Sequence, residues 1–122
     1  LKLWFLLRAY GLEGLRRIIR DHVSWSRALC ERLRARPDVE IVTEPVLSLF
    51  SFRPRSAGDV AEADRRTLAL LQAINDDGRI YLTQTKVDGR LAIRFQVGSF
   101  DATEADVAFA YDVIGEYAGK LD

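Results

Sequence analysis

Apolar residues recur along this chain with two different periods, and the switches between them mark its elements. Residues 1–10 (LKLWFLLRAY) are apolar on nearly all sides. Alone in water such a segment is a liability, so it is expected to pack against something larger. Gly11 ends or bends it. Over 12–35 the period is helical: Leu12, Leu15, Ile18, Ile19, Val23, Leu29, Cys30 and Leu33 share one stripe, with Arg16, Arg17, Arg20, Arg27 and Arg34 opposite. Pro37-Asp38 breaks this helix. Two short strands, 39–43 and 46–53, then flank Glu44-Pro45. Proline cannot donate to a ladder, so Pro45 belongs at a junction or an edge. In the second strand Phe50 and Phe52 point one way, Leu49 and Ser51 the other.

The later half alternates between the same two patterns. A surface loop at 54–59 leads to a helix over 62–77 that buries Thr67, Leu70, Leu71 and Ile74 and stops at Gly78. Strands 80–87 and 90–97 follow, joined at Asp88-Gly89, the two-residue pair suited to a type I′ turn. That turn fixes the register. Val87 then faces Arg90, Ile80 opposes Val97 and Leu82 opposes Phe95, while Tyr81 opposes Gln96, Thr83 opposes Arg94 and Thr85 opposes Ala92. A loop at 98–102 precedes a near capping box, Thr103 to Asp106, and a last helix to 119 burying Val107, Ala110, Tyr111, Ile114 and Tyr117. The order after the long helix is β-β-α-β-β-α. With 90–97 inserted between 46–53 and 80–87, every neighbour is antiparallel and both later helices cover the apolar face. The predicted fold is therefore α+β, a small antiparallel sheet with helices on one face. The predicted division is an N-terminal helical segment, 1–36, and a small domain, 37–122.

Composition changes this picture little. The 122 residues are 48% hydrophobic and 30% charged, as in an ordinary globular domain. No apolar run approaches the roughly 20 residues of a membrane span. Net charge is zero, yet residues 1–36 hold nine Lys/Arg against three Asp/Glu, leaving nine against fifteen for the rest. The basic third lacks interleaved aromatics, so neither nucleic acid nor membrane is expected as a partner. One cysteine, Cys30, suits a reducing compartment. The opening, without Met and already in a helical pattern, is that of a piece of a longer polypeptide.

Candidate chemistry is sparse. There is no Gly-rich phosphate loop, metal-spaced cluster or nucleophile elbow. His22 and Cys30 lie on the apolar stripe and read as packing residues. Asp76-Asp77 reads as a solvated helix end. Arg94 is the exception: at mid-strand on the polar face, opposite Thr83, it could hold a carboxylate in a bidentate fork. These residues alone leave open a free-standing small-ligand-binding or regulatory domain that uses this face, and an interaction module that uses residues 1–7.

Residues 1–15 (LKLWFLLRAYGLEGL) strongly resemble a stretch of the group II pyridoxal-phosphate-dependent amino-acid decarboxylases, the aromatic-L-amino-acid decarboxylase family. In order and spacing, LSLFSFR at 47–53, AIN at 73–75, YLTQT at 81–85 and LAIRFQVG at 91–98 look like the same family's C-terminal region. Ser48 stands where a glycine is usual, and Gln84 where a histidine is common. The resemblance implies the C-terminal small domain of a fold type I enzyme, in a cytoplasmic homodimer acting on an aromatic amino acid. It also implies that pyridoxal 5'-phosphate is bound by a lysine that follows a histidine, upstream of this chain. Lys2, Lys86 and Lys120 do not follow a histidine, so the chain alone is expected to lack the cofactor site and to be inactive. Arg94 matches the family arginine near the substrate carboxylate, with Thr83 as a second substrate-binding candidate.

Overall fold

A computed structural model describes residues 2–96 and 103–120, with the backbone alone at Lys2, Leu3, Phe5, Leu6, Leu7 and Tyr10. Helix α1 (Lys2–Arg34) is interrupted once, at Gly11. Its φ of 72° and ψ of 169° are open to glycine and strained for any side chain. Leu29, Cys30 and Leu33 in the last turns are buried, as their periodicity requires. Leu15 of the same stripe is buried too, whereas Leu12 and Ile19 are 56% and 49% exposed. The kink at Gly11 divides α1 into two helical arms, and the arm from Leu12 to Arg34, at about 1.5 Å per residue, is roughly 35 Å long. It outruns the elements that cover its later turns.

Strands β1 (Val39–Val46) and β2 (Leu49–Pro54) meet at Leu47-Ser48, with Leu47 at a φ of 54°. The sequence places the break earlier, at Glu44-Pro45. β1 runs through Pro45 because it is an edge strand, where a missing N–H costs no ladder bond. Its register also slips between Ile41 and Thr43 and again between Thr43 and Val46. Helix α2 (Val60–Asp77) starts two residues earlier than predicted, because the Asp59 carboxylate accepts the Glu62 N–H at 2.9 Å. Gly78, at φ 84°, closes it.

Strands β3 (Thr83–Val87) and β4 (Arg90–Gln96) pair in the predicted register, from Val87 opposite Arg90 to Thr83 opposite Arg94. The ladder ends there. Neither Tyr81 with Gln96 nor Leu82 with Phe95 extends it, a second correction with a local cause. The Asn75 side chain takes both backbone groups of Leu82, accepting its N–H at 2.9 Å and donating to its carbonyl at 3.0 Å. With those groups satisfied, Leu82 gains nothing from pairing. Val97 and the 98–102 loop lie outside the described residues. The sheet order is β1-β2-β4-β3, antiparallel throughout, with β4 inserted as expected.

Helix α3 (Glu104–Ala118) begins with the predicted capping box: Thr103 Oγ1 accepts the Asp106 N–H and Asp106 accepts the Thr103 N–H. Tyr111 and Tyr117 are half-buried at the rim rather than inside, and Val113 and Ala118 take the inner positions. One core joins all three helices to one sheet face, with Leu29 and Leu33 of α1, Leu70 and Ile74 of α2 and Ile114 of α3 meeting Phe50, Phe52, Ile93 and Phe95. At ~25 cal/mol per Å² of apolar surface removed from water, this cluster dominates stability.

Two polar latches tie the helices together. The Arg36 guanidinium grips the Asp38 carboxylate at 2.9 and 2.8 Å and donates to the Gly115 carbonyl at 3.2 Å. Arg36 holds the Asp38 carboxyl below its ordinary value, and burial opposes this. At the other end Asp77 accepts hydrogen bonds from Arg79 and from the Tyr117 hydroxyl, and Arg79 also reaches Glu116 at 2.5 Å. Arg79 first, then Tyr117, holds the Asp77 carboxyl well below the usual carboxylate range, while Asp77 pushes the Tyr117 hydroxyl up. The C-terminal end of α2 is thus an interhelical anchor rather than the solvated end expected at Asp77.

Candidate functional site

Alternation along β4 separates the two faces of the sheet. Ile93 and Phe95 enter the core, while Arg90, Ala92, Arg94 and Gln96 turn to the face without helices. The register then dictates which side chains share that open face. Thr83, Arg94 and Ser51 form one row across β3, β4 and β2, and Thr43 follows on β1. The Arg94 Nε donates to Thr83 Oγ1 at 3.3 Å, and both residues are exposed. Arg94 is exposed, so its terminal nitrogens are open to a further partner. Ser51 is buried beside it, and its N–H donates to Thr43 Oγ1 at 3.0 Å where β1 bulges.

The next row was not singled out from sequence. Thr85 pairs with Ala92, which is fully buried, and on β2 Arg53 pairs with Glu40 of β1. Arg53 is only 8% exposed. Its Nε and Nη2 hold Glu40 Oε2 at 2.7 and 2.6 Å. Arg55 stands 3.9 Å from the other Glu40 oxygen. The available signal was positional: once β4 pairs with β2, Arg53 must fall on the Arg94 face. The two predicted site residues, Arg94 and Thr83, are therefore in contact on an accessible surface, with a second, more buried arginine one row away.

His22 is buried, its ring tilted against Trp25 at 5.7 Å, in keeping with a packing role. Burial pushes the Cys30 thiol up, away from the reactive thiolate. Among the described residues no three His, Cys, Asp or Glu side chains gather as a metal site requires, and no helix is long and apolar enough to cross a membrane. Lys86 and Lys120 are both exposed, Lys120 lying 5.2 Å from the Tyr117 ring centroid. Neither amine is enclosed by groups that would activate it. The described residues thus do not fit a pyridoxal phosphate site by themselves.

Residues 1–55 match the model of the pyridoxal-dependent decarboxylase conserved domain. Tyrosine decarboxylase 2 of Arabidopsis thaliana is 37% identical over 122 residues, covering 99% of this chain and 22% of its own length. Phenylacetaldehyde synthase of the same plant is 32% identical, with 99% and 25% covered. In the solved structures, Oryza sativa TDC with PLP and tryptamine superimposes with a TM-score of 0.90 at 30% identity, over 99% of this chain and 26% of that one. The chain thus spans about a quarter of the length of the relatives it matches.

Proposed function

We propose, from the membership of this chain in the pyridoxal-dependent decarboxylase family, that it serves as the C-terminal small domain of an L-amino-acid decarboxylase acting on an aromatic amino acid. The division at residue 36, with the helical segment 1–36 leading into the small domain, belongs to the same reading. So do a homodimeric whole enzyme and a cytoplasmic location, to which a single buried, unreactive cysteine is suited.

The observation that carries this reading is the position of Arg94. Its guanidinium stands on the helix-free face in contact with Thr83, on a surface that another part of an enzyme can close over. The role assigned to Arg94 is to orient the substrate carboxylate, with Thr83 fixing the Arg94 side chain through Nε and leaving the terminal nitrogens for a bidentate contact. Such a group must hold the carboxylate without over-stabilising it. A charge that disappears in the transition state gains nothing from a strong ground-state grip. The cofactor supplies the electron-accepting chemistry, and the residues that bind it lie outside this chain.

In the full-length polypeptide, Arg94→Ala should lower turnover of an aromatic L-amino acid by roughly 10- to 100-fold with the fold intact, and Arg94→Lys should recover part of it. Turnover unchanged in both variants would remove Arg94 from the site. The isolated chain should show no imine absorbance on titration with pyridoxal phosphate and no carbon dioxide release. Saturable binding of an amino acid to the isolated chain would instead favour a free-standing ligand-binding domain.

A further inference from the structure

Beyond the Thr83–Arg94 row, a shallow, solvent-open cleft of about 400 Å³ lies at the turn end of the hairpin, lined by Glu40, Ile41, Arg53, Val87, Asp88 and Arg90. Two of its cations differ in how they are satisfied. Arg53 is nearly buried and is neutralised by Glu40. Arg90 has its Nε buried without any hydrogen-bond partner, and no ion pair is formed by its guanidinium among the described residues. Asp88 lines the same cleft at the exposed turn but stays outside ion-pair distance.

A buried donor on a permanently charged group leaves a desolvation cost that only an acceptor can offset. An arginine cannot relieve it by losing its proton. Arg90 is four residues from Arg94, about 13 Å along β4, so one small ligand cannot occupy both. We propose that the Arg90 cleft is a second oxyanion site, distinct from the Arg94 row, which takes a carboxylate. On the reading proposed above, that this chain is one domain of a larger enzyme, that carboxylate is supplied either by a free organic acid or by an Asp or Glu side chain from elsewhere in the enzyme. Arg53, with its charge already committed to Glu40, forms the wall of the cleft and Arg90 the binding group.

The test is a titration of the full-length, 15N-labelled protein with succinate at constant ionic strength, following the backbone amides of Val87 and Asp88 in every variant and the Arg90 Nε–Hε resonance in the parent. A saturable shift that Arg90→Gln weakens about tenfold, and Arg94→Gln leaves unchanged, supports a free-acid site. No response to succinate, together with a through-hydrogen-bond correlation from Arg90 Nε to a side-chain carboxyl carbon, supports occupancy by the chain's own acid. Absence of both, with Arg90 Nε–Hε exchanging as fast as a surface arginine, overturns the proposal. Arg90→Lys, which keeps the charge, is the variant to use if Arg90→Gln does not fold. It should retain weakened succinate binding and lose the side-chain correlation.

Discussion

Phe52 and Arg53 are neighbours in β2, both almost entirely covered, and they face opposite sides of one sheet. Phe52 meets other carbon atoms, among them Phe50 at 6.1 Å between ring centroids, under three helices. Arg53 is covered too, but by strands and a carboxylate partner rather than by a helix. One residue of displacement thus separates a surface whose role is burial from one whose role is polar contact. Depth alone does not distinguish them. The partner does: an apolar side chain needs only contact, whereas a buried guanidinium needs a named acceptor.

Phe52→Ala should break the helix-covered side, costing about 3–5 kcal/mol in chemical denaturation; a loss under ~1 kcal/mol would show that this face is not the main source of stability. Arg53→Ala sharpens the contrast. It leaves Glu40 without its main partner and should cost about 2 kcal/mol, less than for a fully buried pair because Glu40 keeps some solvent. If Arg53→Met is as stable as the parent, the pair serves geometry rather than stability.

Acid should then loosen the latches while sparing the carbon core. Asp77 and Asp38 have folded-state values held down from an ordinary 3.8. The stability they contribute is therefore complete above that value and falls as pH drops below it. Tyr117 is shifted the other way from 10.0, so its contribution is lost as pH rises past that value. Melting curves from pH 2 to 11 should show both limbs, and Asp77→Asn should flatten the acid one. The smallest effect belongs to Arg94→Ala, whose exposed bond to Thr83 predicts a stability change within ~0.5 kcal/mol. A larger loss would move Arg94 from function to structure.

Much of this architecture was legible in advance because it depends on short-range rules. Asp88-Gly89 fixed the hairpin register and so set Arg94 opposite Thr83. Thr103 and Gly78 marked helix ends through groups a few residues away. What escaped prediction depended on partners distant in sequence. Asn75 ended β3 early by capturing Leu82. Pro45 was accepted because β1 is an edge. Arg53 found Glu40 thirteen residues away, and Leu12 and Ile19 are half exposed on the described surface.

The amino-acid order by itself determined the order and type of the elements, the faces of β2 and of the hairpin, and the side of the sheet on which Arg94 stands. Periodicity and turn chemistry act within a few residues. Only the tertiary structure decided which polar groups are satisfied: Arg53 by Glu40, Asp77 by Arg79 and Tyr117, and the buried Arg90 Nε by no described residue. Desolvation is a property of the whole assembly around an atom, and no local pattern encodes it.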